Sequence, residues 1–127
     1  MDRDPIDRIP HRPPVLCVDE LLEHSPEHAV ARATARDEWE PWLIEGLAQT
    51  AALLNAVGYA DEHKGMLVQV RRFDITRAPR KGEELRYRVD LVARVAPVHL
   101  MTGEVHGENG ELLARGELKF YLETDVE

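Results

Sequence analysis

At 127 residues, 43% apolar and 31% charged, the chain is long enough for one domain with its own core and too apolar for disorder or a collagen-like fibre. A net charge of −8 offers no basic footprint for displacing counterions, which argues against nucleic acid as a partner. The single cysteine rules out an intrachain disulfide, and no run approaches the roughly 18 consecutive apolar residues of a membrane span. With no signal-peptide architecture at the start, the expectation is a cytoplasmic protein with no membrane partner.

Residues 1–13 read as an extended arm, because Ile9-Pro-His-Arg-Pro-Pro14 is too rich in proline for a helix or a sheet interior. The arm feeds a strand over residues 15–23. Its apolar run Val15-Leu-Cys-Val18 suits Cys17 as a small buried hydrophobe rather than a nucleophile. A turn at Ser25-Pro26 leads to a second strand over residues 28–36. A helix begins after Glu40, with Pro41 fitted to its first turn, and ends near Gly58.

Four strands follow. Residues 65–75 are rich in Val, Leu and Phe. Residues 84–95 alternate, with Leu85, Tyr87, Val89, Leu91, Ala93 and Val95 on one face and Glu84, Arg86, Arg88, Asp90 and Arg94 on the other. Residues 97–106 and 111–122 are joined through Glu108-Asn-Gly110, and Asn-Gly is a strong hairpin signal. The last strand sets Leu112, Ala114, Leu118, Phe120 and Leu122 against Arg115, Glu117 and Lys119.

The helix carries the chemistry. Glu45 and Gln49 are spaced i to i+4 and stack on one face beside Ala48, Ala52 and Ala56. Leu43, Ile44, Leu47, Ala51, Leu53 and Leu54 occupy the rest of its circumference, so burial almost all round is expected. A carboxylate in such a helix must be paired, protonated or functional. The order of two strands, one long apolar helix and four strands predicts a single α+β domain over residues 1–127. A curved antiparallel sheet wraps around one central helix.

Three segments go further. Ile9-Pro-His-Arg-Pro-Pro-Val-Leu-Cys-Val-Asp19, Trp42-Leu-Ile-Glu-Gly-Leu-Ala-Gln49 and Gly65-Met-Leu-Val-Gln-Val-Arg-Arg-Phe73 are in register with motifs of a known family. They resemble, in turn, a Leu-Pro-His-Arg lead into the first strand, a Glu-x-x-Ala-Gln helix start and a Gly-Phe-Leu-x-x-x-Arg strand. The chain thus resembles the hotdog-fold beta-hydroxyacyl-acyl-carrier-protein dehydratase group, nearest to the aryl-polyene-type dehydratase-like subunits. Typical dehydratases of that group carry a histidine in a His-Phe-Pro-Gly loop shortly before the helix. Here Ala31-Arg-Ala-Thr-Ala-Arg-Asp-Glu-Trp-Glu-Pro41 contains none.

The resemblance implies a 3-hydroxyacyl-thioester dehydratase, or a dehydratase-like subunit, in lipid or polyene biosynthesis. Its substrate would ride on the phosphopantetheine of an acyl carrier protein or on coenzyme A, with no other cofactor and no metal. Dehydration needs a base for the alpha proton, an acid for the leaving oxygen and a donor for the enolate-like oxygen. Glu45 fits the acid, since apolar burial raises a carboxyl pKa while the helix N-terminus pulls it down. The alternative is that it pairs with an arginine or caps the helix. Gln49 positions that carboxyl group or holds the substrate, unless it only bonds to neighbouring main chain. His11 is the candidate substitute base; its other role would be to anchor the arm.

Arg71 and Arg72, with Arg77, Arg80 and Lys81, make the one basic cluster. It would receive phosphopantetheine or an acidic carrier protein, unless it is ordinary surface charge. Strict strand alternation turns one of Arg71 and Arg72 inward, toward Glu45. Ala48 and Ala52 leave room for an acyl chain, so Glu45 is expected at the closed end of an apolar tunnel at a dimer interface. A homodimer, or a heterodimer with another hotdog subunit, would cover an open sheet edge. Two rivals stand beside the dehydratase. One is an acyl-thioester hydrolase using the same carboxylate. The other is a non-catalytic hotdog partner that binds acyl chains, which the missing loop histidine favours more.

Overall fold

The computed structural model describes residue 6 and residues 16–58, 64–95 and 97–123. The elements are β1 (Glu20–Ser25), β2 (His28–Thr34), α1 (Pro41–Gly58), β3 (Lys64–Ile75), β4 (Glu84–Val95), β5 (Val98–His106) and β6 (Leu112–Glu123). All six strands lie in one sheet ordered β1-β2-β4-β5-β6-β3, and every neighbouring pair is antiparallel. α1 packs across β1 to β5, and the sheet buries Leu43, Leu47, Ala51, Leu53 and Leu54, while Ile44, Glu45, Ala48 and Ala52 are only half-buried, so the helix is not covered all round as its sequence suggested. The expected arm over residues 1–13 lies outside the described residues except for Ile6, which is buried with the core.

Element types follow the sequence pattern, and the boundaries shift for identifiable reasons. β1 begins at Glu20 rather than at residue 15: the Asp19 N–H still donates to the Arg32 carbonyl of β2 at 2.8 Å, but Leu16 and Cys17 spend main-chain groups elsewhere. The Leu16 carbonyl accepts the Arg36 guanidinium, the Cys17 N–H goes to Gln49, and Asp19 caps β2 by accepting the Thr34 N–H at 2.9 Å. β2 stops at Thr34 because Ala35 turns to the loop before β4. Its N–H donates to the Glu83 carbonyl at 2.8 Å and its carbonyl accepts the Gly82 N–H at 2.7 Å.

The inward face of β4 holds through Leu85, Tyr87 and Val89, all fully buried. It does not hold to the end of the strand. A register shift lies between Leu91 and Ala93, and beyond it Val95, expected inward, is 64% exposed. A second register shift, between Val105 and His106, helps bury Leu113 in place of the expected Leu112.

Helix and sheet meet most closely at Gly46. A Cβ there would run into the ring of Tyr87, which is 1% exposed and whose hydroxyl donates to the Trp42 carbonyl at 3.2 Å. Alanine is the better helix former by about 1 kcal/mol, but overpacking a closed core costs roughly 1–3 kcal/mol, and the tethered ring has nowhere to slide. Gly46→Ala should therefore lower stability by about 1–2 kcal/mol in denaturant unfolding, and Tyr87→Leu in the same chain should recover part of that loss. An unfolding midpoint unmoved by Gly46→Ala would show that the ring does not set the helix depth.

Candidate active site

The loop before α1 is built from its own side chains. Asp37 Oδ1 accepts the Trp39 N–H and the Trp42 indole N–H, each at 3.0 Å. The Arg36 guanidinium lies 5.1 Å over the Trp42 ring, and Trp39 meets the same ring edge-on at 5.3 Å. The stretch that lacks a histidine is thus a brace that fixes where the helix begins.

One turn into the helix, Glu45 is half-buried beside the half-buried Ala48 and Ala52. Gln49 is 0% exposed and bridges two elements. Its Oε1 accepts the Cys17 N–H at 2.8 Å, and its Nε2 donates to Glu45 Oε2 at 2.9 Å. The main-chain N–H can only donate, so it fixes which end of the amide is oxygen and leaves the NH2 to face the carboxyl group. Gln49 therefore bonds both to main chain and to the carboxyl group. Cys17 is buried, and burial first, then the neighbouring charge of Glu45, pushes its thiol up to about 12, so it stays a protonated hydrophobe.

Members of the expected basic cluster are exposed or paired with carboxylates. Arg71 and Arg72 are both exposed, because the β3–β6 ladder slips between Arg71 and Asp74 and Arg72 adopts a left-handed backbone with φ 52°. Neither turns inward toward Glu45; Arg72 pairs instead with Glu117 at 3.5 Å. Arg77 is neutralised by two carboxylates, with Nη2 2.6 Å from both Glu83 and Glu111. His28 lies 2.7 Å from the Ser25 hydroxyl and 3.4 Å from Glu23. His11 lies outside the described residues. Two residues that the sequence reading passed over also matter. Tyr87 sets the helix depth, and Asn55 is a buried amide whose only sequence signal is its place in the apolar run Leu53-Leu-Asn-Ala-Val57.

No family model matches the chain, and no curated protein does. Solved structures do. A chain of the dehydratase heterocomplex ApeI:P from Xenorhabdus doucetiae aligns with a TM-score of 0.81 at 23% identity, covering 98% of this chain and 94% of that one. The chain has a hotdog fold. The same hotdog sheet and helix occur in a hypothetical thioesterase with coenzyme A from Streptococcus pneumoniae TIGR4, with a TM-score of 0.71, 11% identity and coverages of 85% and 88%. They occur also in the E. coli PaaI protein of the phenylacetic acid degradation operon, with a TM-score of 0.71, 11% identity and coverages of 83% and 79%. Among the described residues, no helix is long and apolar enough to cross a membrane.

The Arg77–Glu83 pair carries a pH signature. The Arg77 guanidinium, donating to both oxygens of the buried Glu83, holds that carboxyl down at about 2 from an ordinary 4.5, against an opposing push from burial. A depressed folded-state pKa gives stability that is complete above the unfolded value and is lost as pH falls toward the folded one. The wild-type melting temperature should fall steeply between about pH 4.5 and 2. Glu83→Gln should melt lower at neutral pH and show a shallower acid limb in circular dichroism. Parallel acid limbs would remove Glu83 as their source.

Proposed function

We propose that this hotdog chain is a dehydratase-like subunit acting on 3-hydroxyacyl thioesters, carried by an acyl carrier protein or coenzyme A, in lipid or polyene assembly. Glu45 is the acid. The observation that carries this reading is the Cys17–Gln49–Glu45 bridge, which holds one carboxyl oxygen and so sets the direction of the other. In the reaction a base takes the alpha proton, and its electron pair forms the double bond. The bond from carbon to the 3-hydroxyl breaks, and the oxygen leaves as water with the proton of Glu45. His11, or a group from a second subunit, is the base. The braced loop before α1 favours the second source, since it contains no histidine.

The sheet supplies a place for a second subunit. β3 is an edge strand, and pairing it with another hotdog edge removes an open ladder while bringing a second chain to the half-buried face of Glu45, Ala48 and Ala52. The thioesterase reading keeps the same carboxylate but makes it the base for water. It is supported by the thioesterases among the similar structures.

The test is the reverse reaction, hydration of crotonyl- or longer enoyl-coenzyme A, by the purified protein alone and together with a hotdog protein encoded beside it. Weak or no hydration alone and clear hydration by the pair is the expected result. Glu45→Gln, nearly isosteric, should abolish the activity of the pair; turnover surviving within about tenfold, or about 1.4 kcal/mol of barrier, would remove Glu45 as the acid. Activity of the protein alone that is lost in His11→Ala would make His11 the base. Release of free acid instead of hydration would make the protein a hydrolase.

A further inference from the structure

The face of the sheet turned away from α1 carries a cavity that the proposed chemistry does not use. On β5, a Cβ at Gly103 would meet the Leu47 side chain of α1, so Leu100 and Thr102, at positions of opposite parity, point away from the helix. Arg71, Glu117 and Thr102 stand in one cross-strand row, and Gln69, Lys119 and Leu100 in the next, all on that outer face. With Val92 of β4 they line a cavity of about 210 Å³. Its walls arise where pairing departs from a regular ladder. Gln69 follows the register shift after Leu67, Arg71 precedes the one before Asp74, and Val92 sits inside the one between Leu91 and Ala93. Inside the cavity Val92, 63% exposed, and Leu100, 36% exposed, face water. Two cations stand beside them. Arg71 and Lys119 have no ion-pair partner among the described residues, while Glu117, the carboxylate of the lining, is taken by Arg72 at 3.5 Å.

From this arrangement we propose that the outer-face cavity binds a small free carboxylic acid as its anion. The apolar body lies on Val92 and Leu100, and the carboxylate lies between Arg71 and Lys119. The volume sets the size at about six to eight carbons, since an apolar cavity of about 150 Å³ takes benzene. The lining sets the charge. A neutral alcohol of the same length gains only the apolar contact, whereas a carboxylate also accepts charge-assisted hydrogen bonds from both cations. The Thr102 hydroxyl and the Gln69 amide, in the same two rows, are further donors. α1 and Glu45 lie on the other side of the sheet, so this site is separate from the thioester chemistry and stands independently of the role of Glu45. Arg71, expected from the sequence to meet a phosphate, is given a different anion on the opposite face.

The test is titration of sodium hexanoate into the full nitrogen-15-labelled chain, followed by amide NMR shifts, with 1-hexanol as the neutral match. Saturable shifts should centre on Gln69, Arg71, Leu100, Thr102 and Lys119, and 1-hexanol should bind roughly tenfold more weakly. Arg71→Gln and Lys119→Gln should each weaken hexanoate about two- to fivefold and leave 1-hexanol unchanged. Arg86→Gln removes a cation elsewhere on the same face and should change neither. Val92→Glu, at an exposed position that threatens no core, should abolish hexanoate binding by placing a like charge against it. Equal affinity for acid and alcohol, hexanoate binding unmoved by the three lining substitutions, or no saturable shift would each overturn the proposal. Shifts confined to α1 would overturn it by placing the acid on the helix side of the sheet. A sedimentation coefficient changed by Val92→Glu with hexanoate affinity intact would make this wall a subunit contact and overturn it as well.

Discussion

The arrangement around Glu45 depends on one buried amide. Gln49 has one accepting end and one donating end, and the Cys17 N–H decides which is which. Because the side chain is wholly buried, both bonds act in a low-dielectric setting where leaving either unmade would be expensive. The segment before β1 must therefore lie across the helix start. Arg36 on the Leu16 carbonyl and Asp19 on the Thr34 N–H hold it there from the other side. A carboxyl group that would otherwise swing on a flexible side chain is held by a structure reaching from residue 16 to residue 49.

A steric constraint complements this polar one. Gly46 lets the Tyr87 ring rest directly against the helix backbone, and the ring's hydroxyl ties back to the first turn. The depth of the helix in the sheet and the orientation of Glu45, its immediate neighbour in sequence, are thus fixed together. At the far end of the fold, Gly107 comes so close to Glu83 and Arg77 that a Cβ there would lie 2.5 Å from Glu83 Oε2. The loop before β4 is locked to the β5–β6 hairpin through Arg77, Glu83 and Glu111. Arg77, one of the residues expected to greet a phosphate, is part of that lock.

Most of the fold was legible because periodicity and turn chemistry agree. Pro41 opens the helix, and Gly110, at φ 81°, closes the hairpin announced by Asn109-Gly110. What was not legible is where a strand slips. Nothing in Val70-Arg-Arg-Phe-Asp74 or Leu91-Val-Ala93 marks a bulge, because a bulge is chosen by the partner strand and not by local propensity. That is why alternation wrongly turned an arginine inward and carried the apolar face of β4 through to Val95. In the site, the pairing of Glu45 with Gln49 follows from helical spacing alone. The bond to Cys17 joins residues 32 apart in sequence, and no local pattern encodes it.

If the chain takes part in the proposed dehydration, the absent loop histidine bears on how that chemistry is divided. Acid and base in a dehydration act on different atoms, one on the 3-hydroxyl and one on the alpha carbon, so the mechanism does not require them to share a chain. What it requires is that each be held rigidly, because a misplacement of about 1 Å can cost a hundredfold in rate. In this chain the rigidity is spent on Glu45, the proposed acid. Asp37, Arg36 and the two tryptophans fix the helix start, Gln49 fixes the carboxyl group, and Tyr87 fixes the depth of both. Under the proposed reading, a loop braced in that way trades the freedom to present a base for the precision of the carboxyl group beside it. Such a trade is useful when a second subunit, joined along the sheet edge, brings the base to the same substrate.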